Sequence, residues 1–381
     1  MSKNPAPKPR KKKNLGGVIG LVVMLIVGFA AGFIGAETID TMTGGDDQLF
    51  FINIFVMLGG LYLAFFLQII LHEGGHLFCG LLSGYKFVSF NVFGVIWQKG
   101  PDGKVHVHRM QVAGAGGQCL MAPPDYNGGD FPFTLYNLGG VLANLMTAAV
   151  FALLAWLIPV TWLRVLLLME VVVGVAFALI NGLPLPADAI QNDGKNLLCI
   201  RKDVHARRAF WVQMSIGAAH AQGLRLCDVP EDWFVPAPAD KLDNPIICAT
   251  CVFAAGRLMD LRDFAAAEEA IRALLAREKG VLGLYRTTLT CDGAFCELLA
   301  GRPGDLCDAL SAKEHQAVLK AMKDNPSILR TQYALALLKD KDEAKAARIL
   351  AQFDKAWAHF PYPQEKEPEK QLIALLQEAA K

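Results

Sequence analysis

Hydrophobic and polar positions divide the chain into two halves of different character. Long apolar runs fill residues 15–182, whereas charged residues return from Arg201 onward at the density of a soluble protein. A helix needs about 20 apolar residues to cross a bilayer. About four runs reach that length: 15–36, 49–82, 136–158 and 162–183. We therefore predict a mainly α-helical chain, with a polytopic transmembrane domain over 15–200 and a soluble domain over 201–381.

The segment between the second and third runs, residues 84–133, is too polar to span a membrane. Residues 87–98 are rich in Phe, Val and Ile and partly alternate with polar positions, and residues 105–112 alternate again. A turn sequence, Pro101-Asp102-Gly103-Lys104, separates them. The pattern predicts a small β-hairpin insertion, and the glycines and prolines of residues 114–129 predict a loop after it.

From about Val204 the sequence is typical of successive amphipathic helices. Residues 245–259 and 263–276 predict one helical hairpin, and further turns are predicted near 301–304 and 339–342. The spacing of these turns, roughly 40 residues, is longer than the 34 of a tetratricopeptide repeat. We predict an α-helical array that resembles tetratricopeptide units. Such arrays commonly bind peptides on a concave face, so a protein partner is expected, with purely structural packing as the alternative.

Overall charge argues against a nucleic-acid partner. The chain is 53% hydrophobic and 19% charged with a formal net charge of +1, and phosphate binding needs a concentrated basic face. The dense basic cluster lies in residues 1–14, whereas residues 37–48 carry acidic side chains and no Lys or Arg. The positive-inside rule predicts a multi-pass protein of the cell membrane. Its basic tail over 1–14, the β-hairpin insertion and the soluble domain would all be cytoplasmic.

The chemistry of the chain centres on His72-Glu73-Gly74-Gly75-His76, near the end of the second apolar run. Histidines four residues apart lie on one helical face, so both imidazoles can reach one ion. Glu73 can act on a water bound to that ion without being a ligand. Ionisable side chains within a membrane-type run are costly and indicate function. The pattern favours a metal site over the alternative, a chance match to a short motif.

A catalytic zinc site generally takes three protein ligands and leaves one position for water. Asp188 and Asp193 follow the fourth run, and both qualify on chemistry alone. The alternative for this segment is a helix end with a proline stop and an Asp-Gly turn. Asn144 and Asn181 are polar groups at membrane depth, suited to hydrogen-bonding a substrate backbone. For Asn144, helix packing through a buried amide is equally compatible with the pattern.

Two separated motifs, His72-Glu73-Gly74-Gly75-His76 and Asn181-x-x-Pro184 followed by Asp193-Gly194, resemble the site-2 protease family of intramembrane zinc metalloproteases. Gly140-Val141-Leu142-Ala143-Asn144 is similar to the Gly-Pro-x-x-Asn of that family, with Val141 in place of proline. The resemblance covers residues 49 to about 200. The chain departs from the family in the longer gap between Pro184 and Asp193, and residues 84–133 are too few for the PDZ domain that many relatives insert.

The resemblance implies a core of three helices, Zn²⁺ held by His72, His76 and Asp193, and Glu73 as the catalytic acid and base. It favours Asp193 over Asp188, because Asp193 alone is followed by glycine. The implied activity is hydrolysis of a peptide bond in or near the transmembrane segment of a membrane protein or membrane-bound peptide. The alternative is a non-catalytic membrane adaptor that holds a partner helix and recruits other proteins through its helical domain.

Overall fold

The computed structural model describes residues 47–109, 116–184, 191–360 and 362–380, with a few isolated helical residues between 22 and 32. The predicted tail over 1–14, most of the first predicted span and the rival ligand Asp188 lie outside the described residues. Within the described ranges the chain is mainly helical, with one small sheet. This agrees with the predicted fold class.

Three helices of the described chain are long and apolar enough to cross a membrane. Helix α1 covers Asp47–Leu82, and its candidate span is Ile54–Leu82. Helix α2 covers Phe133–Leu157 and helix α3 covers Thr161–Gly182. They correspond within a few residues to the second, third and fourth predicted spans. A straight α1 would be about 54 Å long, well beyond the roughly 30 Å of the hydrocarbon core.

The outer surfaces of these helices are apolar, and the crossing of α1 and α2 is made by small residues. Phe55, Phe78 and Trp156 are largely exposed, which suits side chains that face lipid. Gly75 and Gly139 instead lie where α1 and α2 cross, so close that a methyl group on either would overlap the other backbone. Small residues at crossings and apolar ones outside are typical of membrane helices.

The insertion between α1 and α2 is a four-stranded antiparallel sheet. This corrects the prediction of a simple two-stranded hairpin. Its strands are β1 (Lys86–Val92), β2 (Val95–Lys99), β3 (Val105–Arg109) and β4 (Gly117–Ala122), in the order β3-β2-β1-β4. The region predicted as one strand contains two, and part of the predicted loop is a strand. Strands β3 and β4 form the two edges.

The turn between β1 and β2 explains the first difference. Phe93 and Gly94 both have positive φ, 53° and 77°, as a two-residue hairpin turn of type I′ requires. Asparagine or glycine is the usual residue at the first of these positions. Because phenylalanine occupies it here, the sequence did not predict a turn. The Phe93 ring packs against Phe66 of α1, with 4.2 Å between ring centroids. This contact keeps the hydrophobic turn residue against the membrane helix.

The soluble half is helical, and several of its helices begin at side-chain caps. Asn244, Asp263, Asn325 and Asp342 each accept a hydrogen bond from a backbone N–H of the first turn. The α-helices are α4 (Asp193–Lys202), α5 (Val204–Ala221), α6 (Pro245–Asp260), α7 (Phe264–Leu275), α8 (Gly283–Leu299), α9 (Asp305–Ala309), α10 (Lys313–Ala321), α11 (Pro326–Ala334), α12 (Glu343–His359) and α13 (Pro363–Ala379). Short 3₁₀ turns cover Glu231–Phe234 and Ala239–Lys241, and a π-turn covers Leu335–Lys339.

Two hydrophobic cores hold these elements. The larger joins α6 to α13 around residues such as Phe295, Ile328 and Phe353. The second contains Met121 of β4, Tyr136 of α2 and Ile200 of α4, together with Ile246 and Ile247 of α6. Because this second core includes residues from a membrane helix, the sheet and the soluble helices, it fixes all three beside one another.

Candidate metal centre

Helix α1 brings three ionisable side chains to one buried place. His72, Glu73 and His76 are exposed to only 7%, 8% and 7%. Helix α2 lies directly against them, because Gly75 meets Gly139 without an intervening side chain. A methyl group at Gly140 would likewise overlap the His72 imidazole. The glycines therefore let α2 approach closely enough to support both histidine rings.

Both imidazoles are oriented by an acceptor on α2. The Nδ1 atom of His72 lies 2.7 Å from Asn144 Oδ1, and Nδ1 of His76 lies 2.7 Å from the Tyr136 carbonyl oxygen. The Asn144 orientation is fixed, since its Nδ2 donates to the Gln68 carbonyl and to Gln68 Oε1 at 3.1 and 2.8 Å. Each Nδ1 must therefore donate a proton, which leaves both Nε2 lone pairs free to bind a cation.

Asp193 is the first residue of α4, and two local features place it. The Asn192 side chain caps this helix by accepting from the Lys195 N–H at 3.0 Å. Its Nδ2 also donates to the Ile180 and Leu183 carbonyls at the end of α3, at 2.6 and 2.5 Å. At Gly194 a methyl group would overlap the Gly182 carbonyl. Residues 192–194 are thus held against the end of α3, and Asp193 faces α1.

The three side chains form a tight triangle. Asp193 Oδ2 lies 3.1 Å from His72 Nε2 and 3.3 Å from His76 Nε2, and the two Nε2 atoms are 3.3 Å apart. Asp193 Oδ2 is buried without a hydrogen-bond partner. Two nitrogen lone pairs and a carboxylate oxygen that face one another are able to hold a cation between them. Among the described residues, only these three form a group able to hold a metal ion.

The Asp193 carboxylate is ionised at physiological pH. Burial raises the pKa of Asp193, but the two imidazoles beside it favour the ionised carboxylate more strongly and lower the pKa to about 2. An ionised carboxylate is the form that binds a metal ion.

Glu73 lies beside this triangle and is not part of it. Its side chain lies against the first residues of β4, next to Gly117. A methyl group at Gly117 would lie 2.6 Å from Glu73 Cγ, so the glycine makes room for this side chain. Glu73 is thus positioned by the sheet, next to the three residues that can bind an ion.

No protein family, no curated protein and no solved structure matches this chain. Its chemistry must therefore be inferred from the site itself.

The candidate metal centre opens into a cavity of about 910 Å³. His72, Glu73, His76 and Asp193 line one side of it, together with residues 116–120 at the start of β4. Residues of the soluble half line the opposite side: Phe210, Gln213, Met214, Ile246, Phe253 and Tyr285. The volume is within the range of known ligand pockets, about 300–1,000 Å³.

The two asparagines predicted to bind substrate occupy different places. Asn181 lines the cavity, and its Nδ2 donates to the Phe177 carbonyl of its own helix at 3.1 Å. Asn144 is fully buried behind His72, and both of its N–H groups are used by Gln68. Its side-chain oxygen orients the His72 imidazole.

Gln68 and Asn192 are functional residues that the sequence analysis missed. Gln68 is fully buried, and besides accepting from Asn144 it donates to Glu170 Oε2 of α3 at 3.2 Å. Gln68 lies four residues before His72 and therefore on the same face of α1 as the histidines. This spacing could have identified it from the sequence. Asn192 could have been found as an N-cap directly before Asp193.

Proposed function

We propose that this protein is an intramembrane zinc metalloprotease. The triangle of His72, His76 and Asp193 carries the proposal, with edges of 3.1 to 3.3 Å. Four ligands in a tetrahedron around zinc, with bonds of 2.0–2.1 Å, lie about 3.3 Å from one another. The spacing of the three donor atoms fits three corners of such a tetrahedron, and all three residues line the cavity.

The donor set also suits zinc. Two neutral imidazoles and one carboxylate, with one position left for water, are typical of catalytic zinc sites. Both histidines have oxygen acceptors behind them, from Asn144 and Tyr136, which is the usual outer arrangement of zinc-binding histidines. Bound zinc would polarise a peptide carbonyl and lower the pKa of its bound water to about 7.

The residues of the chain would divide the remaining chemistry among them. Glu73 takes a proton from the attacking water and transfers it to the departing amide nitrogen, so that one peptide bond and one water give a carboxylic acid and an amine. Asn181, at the cavity wall, can hydrogen-bond the substrate backbone. Strand β4 is a sheet edge beside the same cavity, so an extended peptide can pair with it.

The surroundings of the site define the substrate class. Three helices suited to a membrane surround or adjoin the site, while soluble helices close its cavity. We propose that the substrate is a peptide segment in or near the transmembrane part of a membrane protein or membrane-bound peptide. The positive-inside rule favours a cell-membrane location with the N-terminus and soluble half in the cytoplasm. The resemblance of the motifs to the site-2 protease family is consistent with both proposals.

Zinc content and cleavage test the proposal together. We expect purified wild-type protein to contain one zinc ion per chain and His72→Ala to contain little. Glu73→Gln should keep its zinc, because Glu73 is not a ligand, and lose cleavage of a model transmembrane peptide by about 10²–10⁴-fold. Elemental analysis and mass spectrometry of the products provide the measurements.

Glu278→Gln is the matched control, because Glu278 is exposed in the soluble half and carries the same charge change. Wild-type protein without zinc would refute the metal site. Zinc-loaded wild-type protein that leaves every membrane peptide intact would favour the adaptor function instead.

A further inference from the structure

A second cavity, of about 380 Å³, lies in the soluble half. It is formed between α6, α8, α11 and α13 and by residues that follow α5. Its polar lining is His220, Arg225, Asp260, Arg262, Tyr285, Thr288, Asp292, Arg330, Gln364, Glu365, Glu369 and Gln371. Nothing in the proposed hydrolysis uses these residues.

Arg330 is the central positive charge of this cavity and is already neutralised. It is 2% exposed, with its guanidinium 4.7 Å from the Phe295 ring centroid. Its Nη1 donates to both Glu369 oxygens at 2.9 and 3.0 Å, and its Nη2 donates to Asp292. One buried cation thus faces two carboxylates, which leaves this end of the cavity with excess negative charge.

Two further polar side chains of α13 line the cavity without a protein partner. Gln364 is 7% exposed, and neither its Nε2 nor its Oε1 has a hydrogen bond. Glu365 lines the cavity and is exposed to solvent, and no described residue pairs with its carboxylate. A buried amide with no partner is unfavourable, and so is an unpaired carboxylate among other negative charges. Both groups would be satisfied by a ligand with a positive charge and several N–H donors.

The second cavity adjoins the first. Phe253 of α6 and Tyr285 of α8 line both of them. Among the described residues, only these two rings are shared by the walls of the two cavities, so the second cavity lies next to the one at the metal centre. The second cavity is in position to receive a side chain from a peptide bound at the metal centre.

We infer that the second cavity is a subsite for an arginine or lysine side chain that flanks the cleaved segment of the substrate. The inference rests on the proposed function, because it takes the peptide at the metal centre as its starting point. A guanidinium offers five N–H donors in a planar fork, which matches a carboxylate and an amide oxygen together. Cytoplasmic flanks of membrane spans are enriched in Lys and Arg, so the proposed substrate class carries the required side chain at the required side.

Binding at this subsite should depend on pH through Glu365 and Glu369. Glu365 is partly exposed to solvent, and desolvation on its cavity side raises its pKa to about 7; burial raises the pKa of Glu369 to about 7 as well. A cation binds the ionised forms, so affinity should rise as the pH increases through 7 and fall below it. The other charged or titratable groups that face the cavity are His220, Arg225, Asp260, Arg262, Tyr285, Asp292 and Arg330. Glu365→Gln should therefore weaken the pH dependence between 6 and 8, and Glu369 should account for the remainder.

The test measures binding without turnover, in full-length protein that carries Glu73→Gln. The probes are fluorescent peptides with a leucine-alanine span and one arginine moved stepwise along the flank. Matched peptides carry citrulline, an uncharged analogue of arginine, at the same place. We expect arginine at one spacing to bind about tenfold more tightly than citrulline, and Glu365→Gln to abolish this preference. Glu367→Gln should retain it, because Glu367 is exposed on the same helix and does not line the cavity.

A second variant separates binding from folding. Gln364→Leu removes an amide that has no partner, so we expect unchanged or higher thermal stability together with weaker arginine preference. Equal binding of arginine and citrulline peptides at every spacing would refute the subsite and leave the proposed protease intact. A clear arginine preference in a protein that cleaves nothing would refute the protease and leave the subsite intact.

Discussion

Asn144 links the metal ligands to a buried chain of polar side chains. It accepts from His72 and donates to Gln68, which in turn donates to Glu170. Every group in this chain is nearly inaccessible to solvent, so each hydrogen bond constrains the next residue along. The result is a single allowed orientation of the His72 ring, with Nε2 toward Asp193.

Replacing Asn144 should weaken metal binding more than it weakens the fold. We expect Asn144→Leu to lower zinc affinity by about 10–100-fold, the usual effect of losing a partner behind a zinc-binding histidine. Asn144→Asp keeps an acceptor for His72 and should lose less. Competition with a fluorescent chelator gives the affinity.

Thr147→Val is the control for this prediction, because Thr147 lies one turn further along α2 and bonds only backbone carbonyls. Equal zinc affinity in Asn144→Leu and Thr147→Val would show that Asn144 has no role in orienting His72.

The ionisable residues of the candidate site could be predicted from the sequence. The residues that orient their side chains were not predicted. His72, His76 and Asp193 were chosen on chemistry and spacing, and the structure brings them together. Helical spacing and N-cap position could have singled out Gln68 and Asn192, but not the groups that they contact. The partner of Gln68, the Glu170 carboxylate, lies 102 residues away in the sequence.

At the scale of elements, the crossing of α1 and α2 depends on one of two adjacent glycines. A methyl group at Gly75 would lie 2.5 Å from Ala143 Cβ and overlap the Gly139 carbonyl, whereas one at Gly74 would meet nothing within 4 Å. We expect Gly75→Ala to destabilise the protein by about 1–3 kcal/mol and to reduce its zinc content. Gly74→Ala should change neither. Thermal unfolding in detergent, followed by tryptophan fluorescence, measures the difference, and equal unfolding of the two variants would contradict it.

The membrane helices could be predicted from sequence more closely than the sheet. Each of the three described spans is a long apolar run, and α2 ends just before Pro159, where a helix is expected to end. Strand β4 contains Gly117 and follows a glycine-rich stretch, so its local composition favours a loop. It is a strand because it pairs with β1. This pairing with a distant segment cannot be predicted from the local sequence of β4.

At the scale of the whole molecule, the predicted membrane half and the predicted soluble half pack against each other. Residues from the membrane helix α2, the sheet and α6 form one hydrophobic core. The cavity at the metal centre is likewise lined from both halves. Residues on both sides of residue 200 therefore share one core and line the cavity of the candidate site.

The proposed topology gives a prediction at this scale. Val160→Cys places a thiol in the turn between α2 and α3, and Glu314→Cys places one on the exposed face of α10. In intact cells we expect a membrane-impermeant maleimide to label the first and to label the second only after permeabilisation. The unsubstituted chain, with its nine native cysteines, gives the background. Labelling of Glu314→Cys in intact cells would reverse the orientation.

Phe253 and Tyr285, which stand between the two cavities, have a consequence for how a cut position would be chosen. If a basic side chain anchors beyond these rings, the number of residues from the anchor to the metal centre becomes constant. The protein would then select the cleaved peptide bond by its distance from the basic side chain, and it would tolerate many sequences between the two.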